Sequence, residues 1–329
     1  MKKYIIPSYT ILKKVFLVSP INVRENNGFF EEFCNLIKII SNIPNSPDIV
    51  IVCKNEEAKE KTIECLKKIV ITVENIEFYI VEISDIWIRD YFSCGNAIEE
   101  GGKKYILKAI YNPNYNSYYS NIDDAAGIKL SQSYSDNQIY LPFKLDGGNI
   151  IANDEYIFIS EKIYSENHHL SKKEIDNYFE QNFIQKLITL PIEILDVIGH
   201  TDSILRFVDD RTIALPIYSE DYRVDNRYIM KIRNILIENL GIDYKIIFLP
   251  SYLDDRINDD NIFSAKGLFI NWLDINGTLI IPSFKELESY QREIYKILKK
   301  ETNKNIIFSP ADNYSFEGGC FNCISNAIF

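Results

Sequence analysis

A chain of 329 residues, 46% hydrophobic and 25% charged, carries enough apolar side chains for a sizeable core and has an ordinary globular composition. Its net charge of −11 excludes the basic footprint that a nucleic-acid binder needs and suits a cationic small molecule better. No stretch approaches the roughly 18 consecutive apolar residues of a membrane span, and six cysteines scattered among apolar segments indicate a reduced, cytoplasmic protein, not a disulfide scaffold.

At the N-terminus, Lys2 and Lys3 precede some apolar residues, but Pro7 and Lys13-Lys14 interrupt the run and no small-residue cleavage site follows. The segment is therefore not read as a signal peptide. Phe29 to Ile40 and Glu56 to Val70 carry apolar residues at three- and four-residue spacing, which predicts amphipathic helices. Further along, Gly147 to Ala152 and Tyr156 to Ile159 flank Asn153-Asp154, a turn between two strand-like runs. Ser203 to Val208 and Thr212 to Leu215 flank Asp209-Asp210 in the same way, as do Leu268 to Leu273 and Thr278 to Ile281 around Asn276-Gly277. Such β-branched and aromatic runs about Asn, Asp and Gly are hairpin signals. Between them, Ser171-x-x-Glu174 has the form of a capping box opening a helix, and Asp225 to Leu240 and Lys285 to Leu298 repeat the helical spacing.

Hairpin, helix and strand thus recur as a unit. Asp90 and Asp146 lie 56 residues apart, Asp146 and His200 54, and His200 and Cys323 123, about two units. The unit skipped is the hairpin at 268–281. With the segment before Asp90 this gives about five units in one ring, spanning residues 1–329 as a single domain. In such a ring the same edge of every unit faces the centre, so residues distant in sequence converge there.

Cys323 closes a Cys320-x-x-Cys323 pair beside Gly318-Gly319, six residues from the last residue. A buried, inert thiol is the ordinary reading of a free cysteine. A redox pair should open a helix after a strand, but only six residues follow. A zinc site needs four ligands, and neither a second Cys pair nor a His pair at ligand spacing is present. Of three histidines, His168 and His169 sit together in a polar loop, whereas His200 lies in the Gly-rich, apolar-flanked Ile198-Gly199-His200-Thr201-Asp202. In an extended strand His200 and Asp202 would share a face. Asp90, next to Arg89, has a neighbour salt bridge as its plain alternative, and Asp146, before Gly147-Gly148, has a turn. Their joint occurrence at unit spacing with His200 and Cys323 points to a site.

Trp87-Ile88-Arg89-Asp90, Asp146-Gly147-Gly148-Asn149, Gly199-His200-Thr201-Asp202 with Arg206-Phe207-Val208-Asp209, and Gly318 to Cys323 with Ile324-Ser325-Asn326 occur in that order. From about residue 75 to the end, the sequence resembles the agmatine deiminase and bacterial-type peptidyl-arginine deiminase group of guanidino-group-modifying enzymes. The resemblance implies an α/β fold, a five-bladed α/β-propeller (pentein) of ββαβ units, and catalysis without metal or organic cofactor. It implies that Cys323 is the nucleophile, His200 the acid/base and Asp146 its orienting partner. Asp90 and Asp202 would hold the guanidinium, and Asp196 stands where an acid binds the far amine of agmatine.

The motifs also depart from the family. Asp146 stands where glutamate is common, and Glu317-Gly318-Gly319-Cys320-Phe321-Asn322-Cys323 replaces Gly-Gly-Gly-Asn-Ile-His-Cys. Asp196-Val197-Ile198-Gly199-His200 is more apolar than the usual Asp-Thr-Asn-Gly-His. The catalytic set is therefore retained more completely than the substrate-selecting one. Agmatine or a related small guanidine is the expected partner; neither nucleic acid nor membrane is expected, and a homo-oligomer is compatible with the sequence. An amidinotransferase, in which an amine replaces water, a peptidyl-arginine deiminase, and a non-catalytic propeller that binds a partner are the alternatives.

Overall fold

A computed structural model describes residues 2–24, 27–69, 75–116, 119–192, 196, 198–221, 223–258 and 261–329. It contains five small sheets. Each has the same kernel, a strand antiparallel to a second, which a helix then connects to a parallel third. In chain order the kernels after the first are Gly95–Glu99, Lys104–Ile110 and Gln138–Lys144 with helix Ser120–Tyr134; Ile150–Ala152, Tyr156–Ser160 and Lys186–Leu190 with helices Lys162–Glu166 and Lys172–Asn182; Arg206–Phe207, Thr212–Ile217 and Lys245–Pro250 with helix Arg223–Asn239; and Leu273–Ile275, Thr278–Ser283 and Asn305–Pro310 with helix Glu288–Glu301.

The first blade is assembled from both ends of the chain. Lys14–Val18, Asp48–Cys53 and Ile76–Ile80 run parallel, with helices Asn27–Ser41 and Glu56–Lys68 as their crossovers. The missing antiparallel strand is Ser325–Ile328, paired with Lys14–Val18. The tail is thus a structural strand whose pairing closes the ring.

The sequence explains each layer. In Asp48–Cys53 the five residues after Asp48 are apolar and buried, because a strand with neighbours on both sides and helices above has no wet face. Helix Glu288–Glu301 turns Ile294 and Leu298 inward and leaves its lysines outside. The capping box is formed: the Ser171 side chain accepts from the Glu174 N–H, and the Glu174 carboxylate accepts from the Ser171 N–H.

Several sequence expectations need correction. The expected strand at 203–208 is a 3₁₀ turn, Thr201–Ser203, followed by a strand of two residues, Arg206–Phe207. Likewise Leu268 to Trp272 is irregular, with a turn at Phe269-Ile270, and the strand begins at Leu273. In both cases apolar residues outside the strand, Ile204 and Leu205 in one and Phe269, Ile270 and Trp272 in the other, are buried in hydrophobic clusters and not by pairing, which periodicity cannot distinguish. Gly95–Glu99 with Lys104–Ile110 is a hairpin that no sequence reading picked out. Val70 and Val197, which entered those readings, lie outside the described residues. Among the described residues, no helix is long and apolar enough to cross a membrane.

Candidate active site

The loop that enters the first strand of every blade carries a polar residue of interest. Asp90 precedes Gly95–Glu99, Asp146 precedes Ile150–Ala152, His200 and Asp202 precede Arg206–Phe207, Asn271 precedes Leu273–Ile275 and Cys323 precedes Ser325–Ile328. Five blades thereby aim five loops at one place. Asn271 is the residue that sequence spacing missed. Its signal was available, because Asn271 stands two residues before its blade's first strand as Cys323 does before the tail strand.

The cysteine pair divides cleanly. Cys320 has 0% exposure and packs in the apolar core, where burial pushes its thiol well up. Cys323 is half-buried and borders two cavities of about 270 and 280 Å³, both of which also reach His200. Gly318 makes the approach feasible. Its φ of +95° is a left-handed conformation, and a β-carbon there would come within 2.4 Å of Ile262. The tail is then anchored by Arg89, whose backbone N–H donates to the Cys323 carbonyl at 3.1 Å and whose Nε donates to the Asn322 carbonyl at 3.2 Å. Arg89 therefore serves the tail, and the neighbour salt bridge considered for Asp90 does not form.

His200 is buried between two carboxylates. Its Nε2 lies 2.8 Å from Asp146 Oδ2, and its Nδ1 lies 3.6 Å from Asp90 Oδ1. A carboxylate oxygen accepts, so Nε2 carries the proton and Nδ1 is the nitrogen free for proton transfer. Asp146 Oδ2 also takes the Lys162 ammonium at 2.5 Å and the Tyr115 hydroxyl at 3.3 Å. Burial would raise the Asp146 carboxyl, but Lys162 and His200 hold it well below the usual range. Neither Lys162 nor Tyr115 was singled out in the sequence, where a helix-start lysine and a loop tyrosine look like surface residues.

Asp202 lies beside His200, but not because of an extended strand. His200 is extended and Thr201–Ser203 turns back, so Asp202 faces the tail, where its Oδ2 accepts from Asn322 Nδ2 at 2.6 Å and lies 4.0 Å from Cys323 Sγ. Asn271 Nδ2 donates to Cys323 Sγ at 3.3 Å. Asp196 borders the 270 Å³ cavity, and its Oδ1 accepts from the Ile198 and Gly199 N–H groups at 3.0 and 2.8 Å, shaping the loop that delivers His200. Among the described residues, no three His, Cys, Asp or Glu side chains are grouped as metal ligands.

Gly148 measures how closely these groups converge. A β-carbon on it would stand 2.6 Å from His200 Nδ1, 2.9 Å from Asp90 Oδ1 and 3.3 Å from Asp202 Oδ2. Three polar groups from two other loops ring one bare backbone position.

Crowding has an electrostatic cost. Burial raises Asp90 to about 7; the facing His200 opposes the rise, and Asp146 and Asp202 add to it. Burial likewise pushes the Cys323 thiol well up, reinforced by Asp202 and Asp90. A cation placed between Asp90 and Asp202 would reverse both effects. Below pH 7 Asp90 is increasingly neutral, and above it increasingly anionic. Affinity for a guanidinium is therefore expected to weaken by up to about tenfold per pH unit below 7 and to level off above. Calorimetric titration of Cys323→Ala with agmatine from pH 5.5 to 8.5 checks this; a profile flat across pH 7 contradicts it.

Residues 13–328 match the family model described as Porphyromonas-type peptidyl-arginine deiminase. No curated protein sequence matches the chain. Among solved structures, agmatine deiminase of C. jejuni superposes with a TM-score of 0.80 at 22% identity, covering 99% of this chain and 96% of that one. Agmatine deiminase of Enterococcus faecalis gives 0.82 at 16% identity, covering 99% and 95%. DDAH of Pseudomonas aeruginosa gives 0.55 at 11% identity, covering 97% and 100%. At these identities the likeness establishes the five-bladed pentein architecture.

Proposed function

Because the chain belongs to the Porphyromonas-type peptidyl-arginine deiminase family, we propose that it is a hydrolase that deiminates a small cationic guanidine, agmatine or a close relative, to a ureido compound and ammonia. The observation that carries this reading is the convergence of Asp90, Asp202, His200 and Cys323 around two cavities that share His200 and Cys323, with Asp146 behind the imidazole.

The chemistry follows from the residue types. A guanidinium is planar and permanently charged, and its delocalised charge makes the central carbon a poor electrophile. Asp90 and Asp202 clamp its N–H edges and fix its plane, presenting one face to Cys323. The clamped cation lowers the thiol pKa that burial had raised, so the substrate activates its own nucleophile and an empty site keeps an unreactive thiol. The thiol proton passes to His200 Nδ1 as sulfur bonds to carbon. His200 then protonates one nitrogen of the tetrahedral adduct, ammonia leaves, and a thiouronium remains on Cys323. Water, deprotonated by His200, attacks that carbon; the carbon–sulfur bond breaks, and the ureido product and free thiol result. Asn271 and Asn322 orient the sulfur and the Asp202 carboxylate.

A small dication is favoured as substrate because the cavity that Asp202 borders is also lined by Asp196, Asp225, Asp254 and Asp255, acids that outnumber Lys266 there even with Asp254 paired to Arg256. The agmatine deiminases among the structural neighbours support the same choice. Cytoplasmic location, as the reduced cysteines suggest, and action without metal or organic cofactor complete the proposal.

Ammonia release from agmatine, arginine, other guanidines and arginyl peptides tests it directly. Release from agmatine without an added amine is the expected result; turnover only when an amine is supplied would make the protein an amidinotransferase, and no turnover of any guanidine would refute the reading. By linkage, agmatine at 100 times its Kd should also stabilise the fold by about 2.7 kcal/mol, several degrees in Tm, and should do so in Cys323→Ala. A Tm indifferent to every guanidine would remove the carboxylate clamp.

A further inference from the structure

Lys162 is a buried cation that the mechanism above does not use. Its side chain is 7% exposed and its Nζ sits 2.5 Å from Asp146 Oδ2, 3.7 Å from Glu166 and 3.3 Å from His200 Nε2, over the Tyr115 ring at 4.4 Å. Four side chains from four segments surround the ammonium: Tyr115 from 114–116, Glu166 from helix Lys162–Glu166 itself, and Asp146 and His200 from their two blade-entry loops.

The physical problem it meets is a general one. Asp146 is almost fully buried, and an ionised carboxylate in such a place needs a compensating charge. If His200 were its only partner, the imidazole would supply that charge and be held as imidazolium. An imidazolium has protons on both nitrogens and cannot accept the thiol proton or deprotonate water. A second, permanent cation on the same carboxylate reduces the demand.

Resting on the deiminase reading, we propose that Lys162 is a positioning residue that shares the Asp146 charge and so holds down the protonation of His200, whose neutral form carries its proton on Nε2 and leaves Nδ1 bare. The groups that face His200 fit this division. Asp90 and Asp146 favour its protonated form, with Asp202 and Cys323 on the substrate side. Burial and Lys162 oppose protonation, yet the two facing carboxylates outweigh them and leave the imidazole above its ordinary value, a rise that Lys162 limits. Glu166 and Tyr115 act on Lys162, Glu166 as a counter-charge one helical turn away and Tyr115 as an aromatic face. Because a lysine can only donate, its approach to Nε2 is electrostatic, and the shared acceptor is Asp146 Oδ2.

The test reads His200 without relying on turnover. His168 and His169 are exposed, so His168→Gln/His169→Gln leaves one histidine to follow by NMR titration. In that background Lys162→Met should raise the His200 pKa by about one unit or more, and Lys162→Arg, which keeps the charge, should leave it near the starting value. If Lys162→Met does not fold because Glu166 is left unpaired, Lys162→Met/Glu166→Gln removes both charges of the helix and should show the same upward move. The acid limb of kcat/KM should shift upward in parallel. A His200 titration unchanged or lowered in the Met variants overturns the proposal, as does an Arg variant that behaves like Met. The titration is indifferent to the reaction catalysed. An unshifted His200 in an active deiminase therefore defeats the Lys162 role alone, and a shifted His200 in a protein that releases no ammonia defeats the deiminase reading alone.

Discussion

Cys323→Ala is expected to lower kcat for ammonia release by at least about 10⁴-fold while guanidine binding survives within a few-fold. Removing the nucleophile from a set that acts as a unit abolishes the covalent route altogether, and binding groups give little chemistry on their own. The clamp is built from Asp90 and Asp202, neither of which depends on the sulfur for its place; Asp202 is held by Asn322. Cys320→Ala is the control that gives this result meaning. That residue is fully buried in the core, so its loss should cost stability through a small cavity and leave kcat nearly unchanged. Single-turnover assays with mass analysis add a second reading, because a thiouronium adduct should be trapped on the wild-type chain and be absent from Cys323→Ala. If Cys320→Ala abolishes turnover and Cys323→Ala does not, the assignment is reversed.

Gly148→Ala is the other change with a large expected effect. One methyl group would stand 2.6 Å from His200 Nδ1 and 2.9 Å from Asp90 Oδ1, separations that real β-carbons do not adopt. Neither neighbour can swing away freely, because both are buried and His200 is fixed by Asp146. The methyl must therefore displace the acid/base and one half of the clamp together. A displacement of about 1 Å at the reacting groups costs on the order of 10²-fold in kcat/KM. The fold should persist, since Gly148 has an ordinary backbone conformation and the strand that follows is unchanged. Circular dichroism and Tm alongside steady-state kinetics check both halves. Wild-type kinetics in Gly148→Ala would mean that the three loops do not meet as closely as drawn.

Much of this was readable before any coordinates. The helices announced themselves through apolar residues at three- and four-residue spacing and through a formed capping box at Ser171. Hairpins were marked by Asn, Asp and Gly between β-branched runs, and the repeat followed from counting. Asp90, Asp146, His200, Asp202 and Cys323 could be singled out because Gly-rich, apolar-flanked polar residues are unusual neighbours and because they recur at blade spacing. What misled was inference from strand geometry. His200 and Asp202 adjoin through a turn, and Phe269, Ile270 and Trp272 are apolar because they pack in the core without joining a strand.

Residue type and order along the chain are local properties, and they were sufficient for the ββαβ unit, for its repetition, and for the chemical identity of a thiol, an imidazole and carboxylates. Which of two cysteines reaches a cavity, which carboxylate meets which imidazole nitrogen, and the presence of Lys162 and Asn271 beside them depended on five loops from separate blades arriving together. Those contacts join residues as much as 233 positions apart, Arg89 to Asn322 among them. Periodicity reports only near neighbours, and long-range placement arises from closing the ring, a step completed when the tail strand pairs with the first blade.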